Sequence, residues 1–378
     1  MDLPVRDFSA SGYRSLQRIT YPMSRLDVFV GANGVGKSNL YRGLELLQAA
    51  AQNRLGERLA EEGLSQAMWA GPRRAREPAR IALSVTLAAP GQRSGAYRYE
   101  VEVGFPQLVT AAAFGLEPQI KLEALTYETG SRRVKLVERR NNAVMARDAE
   151  GRPAEIDLDL LASETLLGRL EDPSRYPELD QVRRTLLEWR FYHQVRTDAD
   201  SPLRRPCTAV ATPTLASDGA NLAAVFATLA HIRGDAADLA AAVSEALPGA
   251  RLSIPMPERQ ASFGLSLPEF PQRVFEPAEL SDGTLRFLAL AGALLAYRLP
   301  PFIALNEPEA SLHPDLTAPL AGLIAKAAER SQVWLVTHSE RLAQALEAHG
   351  SVRTVRKVDG ATQIAGLTLF GAFRDEDD

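Results

Sequence analysis

The sequence has 378 residues and a formal net charge of −4 at pH 7. Hydrophobic residues make up 46% and charged residues 24%, which is typical of a globular protein and excludes an intrinsically disordered chain. The acidic balance argues against a protein coated in positive charge, although it allows a local basic groove. The single cysteine, Cys207, excludes an intramolecular disulfide and a cysteine-rich zinc site, and it fits a reducing cytoplasm.

The sequence contains no run of about 18 apolar residues, so we expect no membrane insertion. The first seven residues lack the hydrophobic core of a signal peptide. We therefore expect a soluble, cytoplasmic protein, for which any membrane partner would be a separate chain.

The first half of the chain predicts an α/β protein with a large antiparallel part. We expect strands near Val5–Phe8 and Leu26–Val30, a loop over Phe8–Leu16, and a first helix over about Lys37–Ala60. From Arg80 the apolar residues alternate with a period of two, which is typical of strands separated by turns. Four segments make up this antiparallel meander: Ile81–Leu87, Tyr97–Val103, Ile120–Glu128 and Arg133–Glu138.

The second half alternates between helical and strand patterns. Helical spacing occurs over 157–188, Leu222–Leu229, Ala236–Leu247 and Arg286–Tyr297. Strands are expected over Trp189–Gln194, as edge strands over Arg251–Phe275, and as buried strands over Pro301–Leu305 and Gln332–Thr337.

A complete phosphate-binding loop stands between a predicted strand and a predicted helix, with the sequence Gly31-Ala32-Asn33-Gly34-Val35-Gly36-Lys37-Ser38. Backbone N–H groups of such a loop surround phosphate oxygens, and its glycines let the backbone approach them closely. The motif assigns Lys37 to the β- and γ-phosphates and the Ser38 hydroxyl to Mg²⁺. We include Asn39 among the nucleotide-binding candidates. The sequence therefore predicts ATP and Mg²⁺ as cofactors.

Polar residues at the ends of two later strands extend this site. Asn306 and Glu307 follow one buried strand, where the first side chain can position Mg²⁺ and Glu307 can deprotonate the attacking water. His338 follows another buried strand, from which it could reach a γ-phosphate. Ser281 can cap the next helix, whose N-terminus offers free N–H groups to an anion. Taken alone, Ser281-Asp282-Gly283 is better explained as a simple helix cap.

Four motifs occur in the order of a known family. They are Gly31–Ser38, Leu280–Thr284, Asn306–Pro314 and Thr337–Ser339. The chain resembles the ATPase head of the ABC class, in the soluble SMC/RecF/OLD-like branch of bacterial AAA-family ATPases, over about residues 1–50 and 275–345. Gly12–Leu16 and Ser217–Leu222 also resemble segments of this group. The resemblance implies a P-loop NTPase of the ABC-ATPase head type, with a mixed central sheet, an antiparallel β-meander and a helical insertion.

The resemblance implies roles for the matching residues. Glu307 would be the catalytic base, His338 the switch histidine, and Lys37 the phosphate-binding lysine. Ser281-Asp282-Gly283 would be the signature that contacts ATP held by a second subunit. Ala310–His313 would cross the dimer interface.

Two further assignments rest on single residues. Gln194 is the candidate for the glutamine that senses Mg²⁺ and water, which would place it with Ser38 and Asn306 at the metal. Gln66 is its rival, and a glutamine at a strand end is usually plain polar surface. Arg14 is a candidate nucleotide contact, but a lone loop arginine is equally often surface.

Three features depart from the family. Asn306 stands where the family usually has aspartate, so Mg²⁺ affinity or turnover is expected to be lower. Asp282 places a negative charge in the signature, near the partner's phosphates. The chain ends soon after His338, so we expect no nuclease domain of the OLD type, and no long heptad arm like that of SMC proteins is visible.

On this interpretation, residues 1–55 and 275–378 form the ATPase core, 56–150 the antiparallel β-meander of the head, and 151–274 a helical and β insertion of unknown role. Three groups of basic residues occur in the last two parts. They are Arg73, Arg74, Arg76 and Arg80; Arg132, Arg133, Lys135, Arg139, Arg140 and Arg147; and Arg183, Arg184, Arg190, Arg196, Arg204 and Arg205. If these residues share one face, they would form a basic surface that binds the backbone of double-stranded DNA. Otherwise they are solvated residues whose charges are balanced by nearby acidic residues.

The sequence thus predicts Mg²⁺-dependent ATP hydrolysis by a homodimer that ATP assembles head to tail, serving DNA maintenance, DNA repair or defence against phage. One alternative is a low-turnover ATP-binding switch that regulates a separate effector protein, which Asn306 favours. Another is the energising subunit of a membrane complex, against which the SMC/RecF-like opening and the large insertion count.

Overall fold

The computed structural model describes residues 3–73, 78–91, 95–106, 114–148, 150–193, 195–233 and 236–373. The chain divides into two compact units. The first comprises Met1–Ser24, Gly31–Trp189 and Arg353–Asp378, and the second comprises Arg25–Val30 and Arg190–Val352. Among the described residues, no helix combines the length and the apolar character that a membrane crossing requires.

The first unit contains an eight-stranded antiparallel sheet, which confirms the predicted meander and extends it. In spatial order its strands are β2 (Leu16–Pro22), β1 (Val5–Tyr13), β4 (Arg80–Ala88), β5 (Gly95–Gly104), β6 (Gln119–Thr129), β7 (Arg132–Arg140), β8 (Ala143–Arg147) and β9 (Pro153–Glu155). Phe8 in β1 pairs with Tyr21 on one side and with Val85 on the other, and all three are buried. Side chains of alternate residues therefore share one buried face.

The predicted loop over Phe8–Leu16 is wrong, because these residues form a strand and a tight turn. β1 continues to Tyr13, and Arg14 makes the turn in the left-handed region at φ 48°. The small residues at 9–11 have the composition of a loop. However, β1 lies between β2 and β4, and pairing along both edges outweighs local propensity.

Five helices occur in the described part of the first unit: α1 (Lys37–Ala51), α2 (Leu55–Glu62), α3 (Leu64–Ala67), α4 (Leu166–Arg169) and α5 (Pro177–Glu188). The predicted single helix over Lys37–Ala60 is therefore two helices. Asn53, between them, has φ 58°, and its Oδ1 accepts a hydrogen bond of 2.9 Å from the N–H of Thr165. A contact with a distant segment thus accompanies the break, and asparagine tolerates the left-handed conformation.

The helical spacing over 157–188 is realised only in α4 and α5. The buried Arg139 of β7 donates hydrogen bonds to backbone carbonyl oxygens that include those of Leu161 and Glu164. This backbone is held by a side chain instead of by helical hydrogen bonds. The buried carboxylate of Glu123 accepts the first two N–H groups of α4 at 2.6 and 2.8 Å, which explains why a helix begins there.

A hairpin also belongs largely to the first unit. Its strands are β18 (Ser351–Val358) and β19 (Ala361–Ile364), and Val355 pairs with Ile364. The N–H of Thr362 donates to the carbonyl of Ser15 at 2.8 Å. The hairpin therefore contacts the turn between β1 and β2.

In the second unit four parallel strands lie side by side, in the order β10 (Arg190–Tyr192), β16 (Phe302–Asn306), β17 (Gln332–Thr337) and β3 (Leu26–Val30). β16 and β17 are buried along their whole length, as expected for continuous apolar strands in a parallel sheet. The rings of Phe29 and Trp334 lie 4.1 Å apart between centres. Because the strands are parallel, their carboxyl ends meet at one edge, where Asn306 and Thr337 end their strands.

Five helices occur in the described part of the second unit: α6 (Leu222–Ala227), α7 (Ala237–Ala246), α8 (Asp282–Leu294), α9 (Thr317–Ala328) and α10 (Glu340–Leu346), with a π-helical turn over Thr228–Arg233. The predicted edge strands become two small antiparallel sheets. One joins β11 (Cys207–Thr208) to β13 (Gln260–Ala261), and the other contains β12 (Arg251–Ser253), β14 (Gly264–Ser266) and β15 (Val274–Phe275). Apolar side chains of these helices and of the parallel strands form one core.

The two units divide the chain differently from the predicted boundaries at 55, 150 and 275. The meander lies with the phosphate loop in the first unit, because β1 pairs directly with β4. Residues 190–274 lie with the later strands in the second unit, because β10 pairs with β16. Pairing between distant segments decides both boundaries, and a local pattern carries no information about it. The role of residues 151–274 stays a prediction.

Candidate functional site

The predicted site residues are divided between the two units. The phosphate loop, Asn39 and Arg14 belong to the first unit. Asn306, Glu307, His338 and the signature belong to the second.

The phosphate loop, residues 31–38, has the backbone that its glycines predict. Gly34 and Gly36 have φ values of 79° and 96°, in the region that favours glycine. A Cβ atom at Gly36 would clash with the hydroxyls of Ser15 and Thr362, whereas one at Gly34 would meet no atom within 4 Å. Gly34 is thus required by conformation alone, and Gly36 by both conformation and close packing.

Lys37 begins α1, and its side chain turns back over the loop. It is only 4% exposed, and its Nζ donates to the carbonyl oxygens of Gly31 and Ala32 at 2.6 and 2.8 Å. Ser38 follows in the first turn of α1 and is partly exposed. The loop thus holds a buried ammonium group beside the N-terminus of a 15-residue helix, and both features favour an anion.

A cluster of three polar side chains, Ser15, Asn39 and Thr362, supports the loop from behind. Asn39 Nδ2 donates to Ser15 Oγ at 2.7 Å, and Ser15 Oγ lies 2.6 Å from Thr362 Oγ1. Thr362 Oγ1 donates in turn to the carbonyl of Val35 at 2.9 Å. The structure therefore places the side chain of Asn39 in the support of the loop. Sequence reasoning missed Thr362, because it lies far from the loop in the chain.

Arg14 is bound within the first unit by an acidic partner. Its guanidinium contacts the Glu62 carboxylate at 3.0 and 3.2 Å, and Tyr13 donates its hydroxyl to the same carboxylate. This pairing explains why an arginine is held in the turn between β1 and β2. Its proposed contact with a nucleotide stays a prediction.

The acidic loop, residues 306–311, follows β16 in the second unit. Glu307 has a left-handed backbone, φ 49°, which is uncommon for a residue other than glycine. Its N–H donates to the carbonyl of Val336 at 2.7 Å, and its own carbonyl accepts from Arg286 Nη2 at 3.3 Å. Two elements of the core therefore hold Glu307 in a strained conformation, which is typical of functional positions.

His338 lies beside two carboxylates of this loop. Its Nδ1 is 3.9 Å from Glu307 Oε1 and 3.4 Å from Glu309 Oε1. Glu309 Oε1 also accepts hydrogen bonds from the hydroxyl of Thr337 and, at 3.2 Å, from the N–H of His338. Glu309 thus orients the end of β17, and the sequence interpretation had assigned it no role.

Burial lowers the pKa of Arg286, while the carboxylates of Glu309 and Glu307 oppose this effect. Because arginine stays ionised in proteins, Arg286 supplies a positive charge that contacts the acidic loop at the carbonyl of Glu307.

Asn306, at the end of β16, is 2% exposed. Its Nδ2 contacts Nδ1 of His193, which follows β10 directly. Among the described residues, Asn306 Oδ1 and Glu309 Oε2 are buried oxygens that accept no hydrogen bond. Such acceptors suit the water molecules of a hydrated Mg²⁺ ion, since Mg²⁺ usually keeps several waters. His193 is a second residue that sequence reasoning missed, and its position just after a predicted strand was the available signal.

The described residues contain no group of three or more His, Cys, Asp and Glu side chains placed to hold a metal ion. Mg²⁺ does not require such a group, because it usually binds through one or two protein ligands together with waters and substrate phosphates.

The signature begins α8, four residues earlier than the predicted helix start. Ser281 caps α8, and its Oγ accepts the N–H of Thr284 at 3.2 Å. A Cβ at Gly283 would lie 3.2 Å from the carbonyl of Ser311, so the signature passes close to the end of the acidic loop. Asp282 forms an ion pair of 2.7 Å with Arg204. The predicted cap is thus present, and Asp282 has a partner.

A family model described as "AAA domain, putative AbiEii toxin, Type IV TA system" matches residues 258–343. This stretch contains the signature, the acidic loop and His338. None of the curated proteins compared with the chain matches it.

Solved structures of SMC heads match nearly the whole chain. A crystal structure of the SMC head bound to the C-terminal winged-helix domain of ScpA has 15% identity and a TM-score of 0.56, covering 97% of this chain and 99% of that one. The SMC head of Pyrococcus furiosus, with an extended coiled coil and bound to the C-terminal domain of ScpA, has 14% identity and a TM-score of 0.55, covering 97% of each. The SMC head of Pyrococcus yayanosii has 12% identity and a TM-score of 0.50, covering 98% of each.

The chain has the fold of an ABC-type ATPase head. The fold and the family-model match together indicate a P-loop ATPase, which confirms the predicted fold class. In this ATPase head, Gln194 lies outside the described residues, so its assignment stays a prediction. Its rival, Gln66, is exposed on α3 in the first unit.

Most of the basic residues noted in the sequence have acidic partners in the structure. The pairs are Arg80 with Glu102, Arg133 with Glu128, Lys135 and Arg140 with Glu138, Arg183 and Arg184 with Asp180, Arg196 with Asp198, Arg204 with Asp282, and Arg205 with Asp200. Arg74 and Arg76 lie outside the described residues. This pairing favours the interpretation of solvated, balanced arginines over a continuous basic surface.

Proposed function

We propose that this ATPase head hydrolyses ATP with Mg²⁺, and that ATP drives two copies together head to tail. The observation that carries the proposal is Glu307, held in a strained conformation beside His338 and following the same buried strand that ends in Asn306. A carboxylate in this position suits a general base for water. The phosphate loop, with the buried Lys37, supplies the complementary anion site.

The proposed cycle assigns a task to each residue. Lys37 binds the phosphates of ATP, and Glu307 accepts a proton from the attacking water. His338 binds the γ-phosphate. Ser38 and Asn306 would hold Mg²⁺, directly or through water. Mg²⁺, when bound, neutralises the charge that develops on the transferring phosphoryl group.

The second copy supplies Ser281 and Gly283, so that each site is complete only in the dimer. Oligomerisation linked to a ligand in this manner depends on ATP by mass action. Hydrolysis removes the shared γ-phosphate and reopens the pair.

The biological role that we propose is defence against phage, in preference to DNA repair. In this role the ATPase head would act through a separate effector protein. The description of the family model that matches residues 258–343 includes the words "putative AbiEii toxin, Type IV TA system". Two of the similar SMC heads are bound to a domain of a different protein, ScpA. Both descriptions support a head that acts with a partner chain, and this step is an analogy of fold and family.

Two substitutions test the proposal. Glu307→Gln should lower ATP turnover by about a thousandfold, the usual range for a general base, and trap an ATP-bound dimer. Lys37→Ala should weaken ATP binding and stay monomeric. Turnover is measured with purified protein, and mass by light scattering, with saturating ATP and Mg²⁺.

The exposed Glu347→Gln is the matched control and should behave as the parent protein. If Glu307→Gln stays monomeric at saturating ATP, the head-to-tail model fails, whatever its turnover.

A second candidate function is an ATP-binding switch with very low turnover. Asn306 favours it, because an amide brings no charge to the metal site. Tight ATP binding and ATP-dependent dimerisation of the parent protein, with negligible turnover, would identify this case. The third candidate, an energising subunit of a membrane complex, would require copurification with a membrane protein.

A further inference from the structure

Arg204 ties the signature to a distant loop of the second unit. It ends the 3₁₀ turn Pro202–Arg204, and its side chain is only 13% exposed. Its guanidinium donates to the carbonyl oxygens of Pro277, Ala278 and Leu280 at 3.3, 3.0 and 2.9 Å, and to Asp282 Oδ1 at 2.7 Å. Its Nε donates to the carbonyl of Thr197 at 2.9 Å.

These contacts use the fork of N–H groups that only arginine offers. The carbonyl of Pro277 also accepts the N–H of Leu280 at 3.3 Å, within the 3₁₀ turn Pro277–Glu279. The carbonyl oxygens of Ala278 and Leu280 need donors as well, and Arg204 supplies them. The other contacts in this loop are local: Glu276 and Glu279 form a capping box, and Arg273 pairs with Glu279. Arg204 is thus the link that reaches the signature from more than 70 residues away in the chain.

The same side chain neutralises Asp282. The Asp282 side chain is 62% exposed, so without Arg204 its charge would face whatever approaches the N-terminus of α8. A bare carboxylate repels phosphate, and it also offsets the positive end of the helix. With Arg204 beside it, the two charges cancel.

We infer that Arg204 is the positioning residue of the signature, and that the Arg204–Asp282 pair lets this chain use Ser-Asp-Gly to receive the ATP phosphates of a second copy. The inference rests on the proposed function, because it concerns the same composite site. Arg204 acts through Ser281 and Gly283 and itself touches no substrate.

The test is a double-mutant cycle in the Glu307→Gln background, with the ATP-dependent dimerisation constant as the readout. Arg204→Ala should weaken dimerisation about tenfold or more, the order expected from one uncompensated charge at a partly exposed site. Adding Asp282→Asn to Arg204→Ala should restore most of the loss, because the repelling charge is then gone. Asp282→Asn alone should change dimerisation much less than Arg204→Ala.

If the double variant is as weak as Arg204→Ala, then Arg204 does not act by neutralising Asp282, and that part of the inference is overturned. Arg205→Ala is the matched control, because Arg205 is a neighbouring, exposed arginine with its own acidic partner, Asp200. In the Glu307→Gln background, Arg205→Ala should leave the dimerisation constant unchanged.

Hydrogen exchange of the monomer without ATP provides a readout that is independent of dimerisation. Arg204→Ala should speed the exchange of the amides from Leu280 to Leu285 several-fold, whereas Arg205→Ala should not. Unchanged exchange would overturn the positioning role, provided that circular dichroism shows both variants folded. If Glu307→Gln fails to dimerise while these amides still respond to Arg204→Ala, the proposed function fails and the positioning role stands.

Discussion

Asn306 combines burial with an unusual choice of side chain. The sequence alone shows an amide where the ATPase family usually has a carboxylate. The structure adds that the amide is 2% exposed, contacts His193, and leaves a buried oxygen without a hydrogen bond. The oxygen can accept from a metal-bound water, yet it contributes no charge, so the metal site is expected to be weak.

Asn306→Asp therefore tests the metal site. We expect it to lower the Mg²⁺ concentration for half-maximal turnover by about tenfold, because a carboxylate adds a full charge at a buried position. Turnover is measured against Mg²⁺ concentration at saturating ATP. Asn306→Ala is the control and should raise the required Mg²⁺. An unchanged Mg²⁺ dependence in both variants would show that Asn306 does not face the metal.

At the level of elements, α1 carries the phosphate loop and also an internal carboxyl group. Burial raises the pKa of Glu45 to about 7, while the charges of Arg42 and Arg58 oppose this rise and Glu62 adds to it. A carboxyl whose pKa is higher in the folded state than its ordinary 4.5 destabilises the fold as it ionises. The penalty is absent below about pH 4.5 and grows as the pH rises through about 7.

Glu45→Gln should therefore stabilise the protein at high pH. We expect the free energy of unfolding to rise by about 2 kcal/mol at pH 8 and to stay unchanged near pH 4, with the difference developing between these values. Urea denaturation of variant and parent across this pH range gives the measurement. The exposed Glu347→Gln is the control, and a gain of equal size at every pH would contradict the prediction.

A comparison of the predicted and observed elements shows which of them a local sequence pattern can identify. Runs that are apolar throughout, such as those of β16 and β17, are recognisable because a strand buried on both faces needs such a run. β1 was misassigned because its small residues resemble a loop, and its neighbours β2 and β4 decide its conformation. The first helix was predicted too long, and the turn that breaks it at Asn53 coincides with a hydrogen bond from Thr165, more than 100 residues later.

At the level of the whole molecule, the distribution of charged residues indicates whether double-stranded DNA is a partner. The net charge is −4, and most of the basic residues in the described part of the chain that we considered for DNA pair with carboxylates. Duplex DNA would have to compete with these ion pairs, each of which leaves less free positive charge for phosphates.

We therefore expect duplex DNA at low salt to change ATP turnover by less than about twofold, because most of the basic residues considered for DNA in the described part of the chain already pair with carboxylates. The assay compares turnover with and without DNA at two salt concentrations. A larger stimulation that disappears at the higher salt would contradict this expectation and support DNA as a partner.

The sequence by itself determined the parts whose chemistry is local. A phosphate loop needs contiguous glycines, a lysine and a serine, so Gly31–Ser38 could be recognised directly, and the order of the later motifs was sufficient to predict the ATPase head. Only the tertiary structure decided which distant groups meet: Thr362 behind the loop, His193 beside Asn306, and Arg204 on the signature. These contacts arise from the pairing of strands and loops that are far apart in the chain, and no local pattern encodes that pairing.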